Sequence, residues 1–107
     1  MVKRGEIYWA MLDPPEGRRP TLILTRSVAI PVLNRVVAAP ITRTVRGIAT
    51  EVSVGPEEGL PESSVANCDN LLTVPKDVLD AEPVGRLGPA GVRALDKALR
   101  HALDIRY

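Results

Sequence analysis

Turn-forming residues interrupt this chain at intervals of about 8 to 12 residues, and most apolar runs left between them have the length of a short β-strand. Ile7-Tyr8-Trp9-Ala10-Met11-Leu12 is almost wholly apolar and carries strand-favouring aromatics, and Asp13-Pro14-Pro15-Glu16-Gly17 ends it. A second strand is predicted from Thr21 to Thr25, with Pro20 at its first position, where a missing N–H is tolerated. These two form a predicted hairpin. Val36 to Thr42 reads as a third strand, whose Pro40 points to an edge or a bulge. In a fourth, Ile48, Thr50, Val52 and Val54 alternate with Ala49, Glu51 and Ser53, which predicts one wet face.

The stretch from Gly55 to Ser64 is turn-rich and acidic. Val65 to Cys68 and Leu71 to Val74 then read as one strand interrupted at Asp69-Asn70, or as two short ones, and Pro83 to Leu87 as a last strand. Gly88-Pro89 opens a helix, because proline suits the first helical position. On that helix Val92, Leu95, Leu99, Ala102 and Leu103 share one side, and Arg93, Lys97, Arg100, His101 and Asp104 the other. Five or six short strands closed by one amphipathic helix predict a mainly β fold with α, a small partly open β-barrel capped by the C-terminal helix.

A chain of 107 residues fits one compact domain over 1–107. With no Phe and a single Trp, its core is built mostly from Val, Leu, Ile and Ala, and stacking platforms are scarce. The lone Cys68 excludes an internal disulfide and a cysteine zinc site, and it fits a reducing compartment such as the cytoplasm. No apolar run approaches the roughly 20 residues of a membrane span, so a soluble protein without membrane contact is expected. A net charge of +1 argues against a generic polybasic binder. Arg4, Arg18, Arg19, Arg43 and Arg46 nevertheless fall at predicted turns, while many acids gather in 51–62 and 77–82, an arrangement that allows a basic face.

Several chemistries find little support. His101 is the only histidine and sits on the polar helix face, which excludes a histidine-pair nuclease. The acids show neither EF-hand nor His-x-x-x-His spacing and no phosphate loop occurs, so neither metal nor cofactor is expected. Cys68 reads as a small core residue rather than a nucleophile. Tyr8 and Trp9 read as core or subunit-interface residues, with base stacking as the alternative. Arg18-Arg19 taken alone is a solvated turn. Its place at the mouth of a strand suits bidentate phosphate recognition, and the hydroxyl of Thr42 is a candidate partner on the same phosphate.

Arg4-Gly5-Glu6-Ile7-Tyr8-Trp9-Ala10, Leu12-Asp13-Pro14, Gly17-x-Arg19-Pro20, Pro40-Ile41-Thr42 and Asn67-Cys68-Asp69-Asn70-Leu71, in this order, resemble the MazF/PemK (Kid) toxin family over almost the whole chain. The resemblance implies an SH3-like barrel, a homodimer, a cognate antitoxin and metal-independent cleavage of single-stranded RNA, commonly mRNA. By it Arg19 matches the catalytic arginine and Thr42 the catalytic threonine. The ribose 2′-hydroxyl is then the nucleophile, and the products are a 2′,3′-cyclic phosphate and a 5′-hydroxyl. Glu16 is the candidate base, although the turn before Arg19 is shorter than is usual in the family. Asp69 matches the aspartate of the Kid-like branch, and Asn67 stands where that branch has arginine. Arg18, Arg43, Asn67 and Asp69 are the expected RNA contacts. An acidic antitoxin tail folding onto the groove would compete for Arg18 and Arg19. Two alternatives stay open, a non-enzymatic CcdB-like toxin that binds DNA gyrase and a non-cleaving RNA-binding module. The tail Leu103-Asp104-Ile105-Arg106-Tyr107 lacks the tryptophan-glycine ending associated with the first.

Overall fold

The computed structural model describes residues 1–106, so Tyr107 of the C-terminal tail lies outside the described residues. Its strands are β1 (Glu6–Met11), β2 (Arg18–Ile23), β3 (Arg35–Thr42), β4 (Glu51–Val54), β5 (Ser64–Asn67), β6 (Leu72–Pro75) and β7 (Gly85–Arg86), and α1 (Pro89–Leu103) follows them. They pair in the order β4-β5-β3-β2-β1-β7, with β6 also on β3, every contact antiparallel. This is the expected partly open half-barrel with a C-terminal helix. Among the described residues no helix is long and apolar enough to cross a membrane.

The near-continuous apolar runs of β1 and β2 have a physical reason, since both faces of this part of the sheet are covered. Ile7, Leu22 and Leu24 pack in a core with Ile41, Val52, Val54, Leu95 and Ala98, under α1. Tyr8, Ala10 and Leu12 point to the other face and pack with Ile23, Ile30, Val36 and Val74. Each fully buried aliphatic side chain contributes about 1.5–3 kcal/mol. Glu51 and Ser53 on β4 stay at the surface while Val52 and Val54 are buried, the wet face read from their alternation.

Pro40 neither lies at a free edge nor breaks a ladder. One edge of β3 pairs with β6 through Arg35 to Ala38 and with β5 from Ile41, and Pro40 falls in the gap between the two partners.

Two strand starts and one helix face differ from the expected ones in ways that bear on the surface. β2 begins at Arg18, so Arg18, Arg19 and Pro20 lie within the hairpin ladder, opposite Met11, Ala10 and Trp9. β4 begins at Glu51, and Ile48 is 45% exposed. The Glu51 carboxylate accepts the backbone N–H groups of Arg46 (3.1 Å) and Gly47 (2.9 Å), and the Glu51 N–H donates to the Ile48 carbonyl at 3.1 Å to close a turn at residues 49–50, contacts that alternation alone cannot reveal. On α1, Leu95 and Ala98 are buried but Leu103 is 55% exposed. The apolar stripe is wider than the core it covers. Its edge, half-buried Leu99 and exposed Leu103, joins Leu24, Leu33, Val37 and Leu71 around an open apolar cavity of about 410 Å³.

Candidate nucleic-acid interface

The tight β1–β2 connection delivers Arg19. Glu16 and Gly17 donate their N–H groups to the Asp13 carbonyl at 3.2 and 3.4 Å, and Gly17 takes the left-handed φ of 63° that closes the turn. The ladder then sets Arg19 opposite Ala10, while Thr42 ends β3 opposite Val65. The Arg19 side chain bridges these elements. Its Nε donates to the Glu16 carbonyl and its Nη1 to the Ile41 carbonyl, both at 3.4 Å. Those long contacts orient the guanidinium and leave further N–H donors of its fork available.

Two cavities meet at this pair. The larger, about 500 Å³, is walled by Trp9, Arg18, Arg19, Thr42, Arg43 and Glu62 among others. The smaller, about 230 Å³, is lined by Glu16, Arg19, Pro40, Thr42, Asn67 and Asn70 together with Pro15. Arg19 and Thr42 line both. The Thr42 Oγ1 accepts the Thr44 N–H at 3.1 Å, so its own hydroxyl hydrogen is available to a ligand oxygen.

The three arginines of the larger cavity are electrostatically unequal. Arg18 grips Asp80 with both terminal nitrogens, at 3.0 and 2.7 Å, and lies 5.3 Å from the centre of the Trp9 ring. The hydrogen-bonded Arg18 guanidinium holds the Asp80 carboxyl below the ordinary carboxylate range, and Asp80 in turn raises the pKa of Arg18. Arg43 donates to Glu62 at 2.6 Å, which raises its pKa in the same way. Arg19 alone of the three has no carboxylate within ion-pair distance among the described residues. The basic face expected from composition is therefore largely neutralised at its rim and positive at its centre.

The other expected site residues divide. Glu16 and Asn67 reach the smaller cavity beside Arg19 and Thr42. Asp69 lines neither cavity, because its carboxylate accepts the Thr50 hydroxyl at 2.6 Å while its N–H donates to the Asn67 side chain at 2.9 Å. Its evident work is to shape the loop that carries Asn67. Cys68 is buried, and burial, with the Asp69 charge second, pushes its thiol up to about 11, which makes it inert at neutral pH. Tyr8 is a core residue whose hydroxyl donates to Glu6 at 3.1 Å, and burial and then the Glu6 charge push it up to about 12. Alternation sends its neighbour Trp9 to the opposite face, onto the cavity wall.

The pattern defined as the PemK-like, MazF-like toxin of type II toxin-antitoxin systems matches residues 3–103. The chain belongs to the PemK/MazF toxin family. It is 46% identical over 101 residues to endoribonuclease MazF3 of Mycobacterium tuberculosis, covering 94% of each protein. Among solved structures it is similar to the Mycobacterium tuberculosis toxin MazF-mt6, with 43% identity, a TM-score of 0.87 and coverage of 95% of this chain and 99% of that one. It is also similar to a mycobacterial endoribonuclease solved in complex with its cognate antitoxin, with 33% identity, a TM-score of 0.86 and coverage of 100% and 99%.

Four cavity residues of this PemK/MazF chain went unread in the sequence. Asn70 lies within the quoted Asn67-to-Leu71 motif and shares the smaller cavity. Ser64 and Thr44 line the larger one, and Glu62 supplies an acid to its rim. Asp80 and Glu62 were visible only as members of acidic stretches, a signal that does not say which base each one meets.

Proposed function

We propose that this chain is an endoribonuclease toxin that cleaves single-stranded RNA, and that a cognate antitoxin neutralises it.

 The substrate is messenger RNA cut at short sequences, and the site of action is the cytoplasm. The observation that carries this reading is the convergence of Arg19 and Thr42 on the wall between two cavities, with Arg19 the one cavity arginine lacking an acid partner among the described residues. The names of the relatives, endoribonucleases and a toxin solved with its antitoxin, support it.

The chemistry needs no covalent nucleophile from the protein. The ribose 2′-hydroxyl attacks the adjacent phosphorus, the bond to the 5′-oxygen of the next nucleotide breaks, that oxygen takes up a proton from water, and a 2′,3′-cyclic phosphate and a 5′-hydroxyl result. Negative charge grows on the phosphoryl oxygens during attack, and a preorganised guanidinium at Arg19 stabilises it there. The Thr42 hydroxyl donates to the same phosphate, and the Glu16 carboxylate, on the smaller cavity, takes the 2′-hydroxyl proton. Arg18, Arg43 and Asn67 contact the flanking RNA.

A second copy of the chain completes the assembly, in keeping with the open apolar cavity beside exposed Leu103 of α1. The test is incubation of purified protein with single-stranded RNA in the presence of a chelator, with the product ends mapped. Cyclic phosphate and 5′-hydroxyl ends are expected. No cleavage, or cleavage only after a divalent metal is added, overturns the mechanism, and binding without products favours the non-cleaving module.

A further inference from the structure

Asp80 belongs to none of the chemistry above, yet it is held where RNA phosphate would compete with it. Its backbone N–H donates to the Trp9 carbonyl at 2.8 Å, and the neighbouring Leu79 bridges to Ala10, so the residue is pinned to β1 through main-chain contacts. From that anchor both carboxylate oxygens meet both terminal nitrogens of Arg18. A planar guanidinium offers the same fork to a carboxylate as to a phosphate, and it cannot serve both fully. The Arg43–Glu62 pair repeats the arrangement with a single hydrogen bond and greater exposure, 74% and 57% of the two side chains against 49% and 41% for Arg18 and Asp80. It is the weaker restraint.

We propose that Asp80 is a specificity-determining residue, a built-in competitor that occupies Arg18 in the free protein, weakens binding to unselected polyanions and leaves Arg19 as the uncompensated charge that receives the phosphate. Glu62 acts in the same sense on Arg43 and more weakly. The inference rests on the proposed RNA substrate. It adds that the rim arginines engage phosphate only by exchanging it for a carboxylate of the chain itself. Such an exchange leaves the local charge of the protein unchanged, so it gains less from the release of counterions than a free arginine would.

The probe is a fluorescein-labelled, mixed-sequence single-stranded oligodeoxynucleotide, which has no 2′-hydroxyl and cannot be cut by the proposed reaction. Asp80→Asn keeps the size of the side chain and removes its charge. A freed arginine that neutralises one more phosphate steepens the log affinity against log salt plot by about 0.7 and tightens binding about fivefold at 0.1 M salt relative to 1 M. Asp80→Asn is expected to show both changes, Asp80→Ser the same, and Glu62→Gln a smaller gain. In an Arg18→Ala background Asp80→Asn is expected to give no gain, which separates release of Arg18 from the general loss of a negative charge.

Unchanged affinity and salt slope in folded Asp80→Asn and Asp80→Ser overturn the assignment. So does a gain of the same size without Arg18, and so does failure of the unmodified protein and both variants to bind the probe. RNA cleavage by the unmodified protein is measured in parallel. Cleavage without the expected gain sinks the role of Asp80 alone, whereas the gain without cleavage sinks the nuclease reading alone.

Discussion

Arg18 and Arg19 are the same residue type, adjacent on one strand, and their surroundings differ in kind. Arg18 faces a carboxylate and an aromatic ring, so its charge is already answered. Arg19 meets only two carbonyl oxygens at 3.4 Å, dipoles that orient a cation without neutralising it. The lesson is that the availability of a charge is set by its neighbours in space, and a basic pair in sequence holds two different tools.

The largest effect that tests this contrast comes from removing the two arginines separately. Arg19→Ala is expected to lower the cleavage rate by about 10²–10³-fold, the usual cost of losing a preorganised donor to a developing oxyanion, with the fold intact. Arg18→Ala is expected to raise KM by at most about fivefold at 0.1 M salt, because it removes one phosphate contact that is already contested. Single-turnover kinetics on one RNA substrate compare them. Equal losses in the two variants would erase the distinction.

A smaller effect sharpens the Arg19 side. Thr42→Val removes a hydroxyl while keeping the shape, and loss of a hydrogen bond to a charged group corresponds to about a tenfold fall in rate or somewhat more. Thr42→Ser is expected to recover most of it. If the serine variant stays as slow as the valine variant, the hydroxyl is not the working group.

The smallest effect belongs to the Arg18 side and is read in stability against pH. Because the Asp80 carboxyl is held low by Arg18, its contribution is present above the ordinary carboxylate pKa of about 3.9 and is lost as pH falls through the depressed folded-state value. Asp80→Asn should therefore flatten the acid limb of a plot of Tm against pH, from about pH 5 downward. Arg19→Ala should leave that limb unchanged, having no carboxylate partner to release. Parallel acid limbs for Asp80→Asn and the unmodified protein would break this half of the comparison.

Much of the fold was legible because the signals were local. The β1–β2 hairpin followed from apolar runs around Asp13 to Gly17, the wet face of β4 from Glu51 and Ser53, and the start of α1 from Gly88-Pro89. Ile48 lies outside β4 although its alternation continues that of the strand, because the turn at residues 49–50 intervenes and the Glu51 carboxylate ties the backbone of Arg46 and Gly47 back to the strand start. At the site, Arg19, Thr42, Glu16 and Asn67 line one cavity. Asp69 does not, because the Thr50 hydroxyl claims its carboxylate.

By itself the sequence determined the alternation, the turns, the helix face and the residue types available for phosphate chemistry, since each is a property of residues near one another along the chain. Only the tertiary structure decided which arginine keeps an unanswered charge. Asp80 is 62 positions from Arg18, and Glu62 is 19 from Arg43. Charges interact through space, and folding sets those distances.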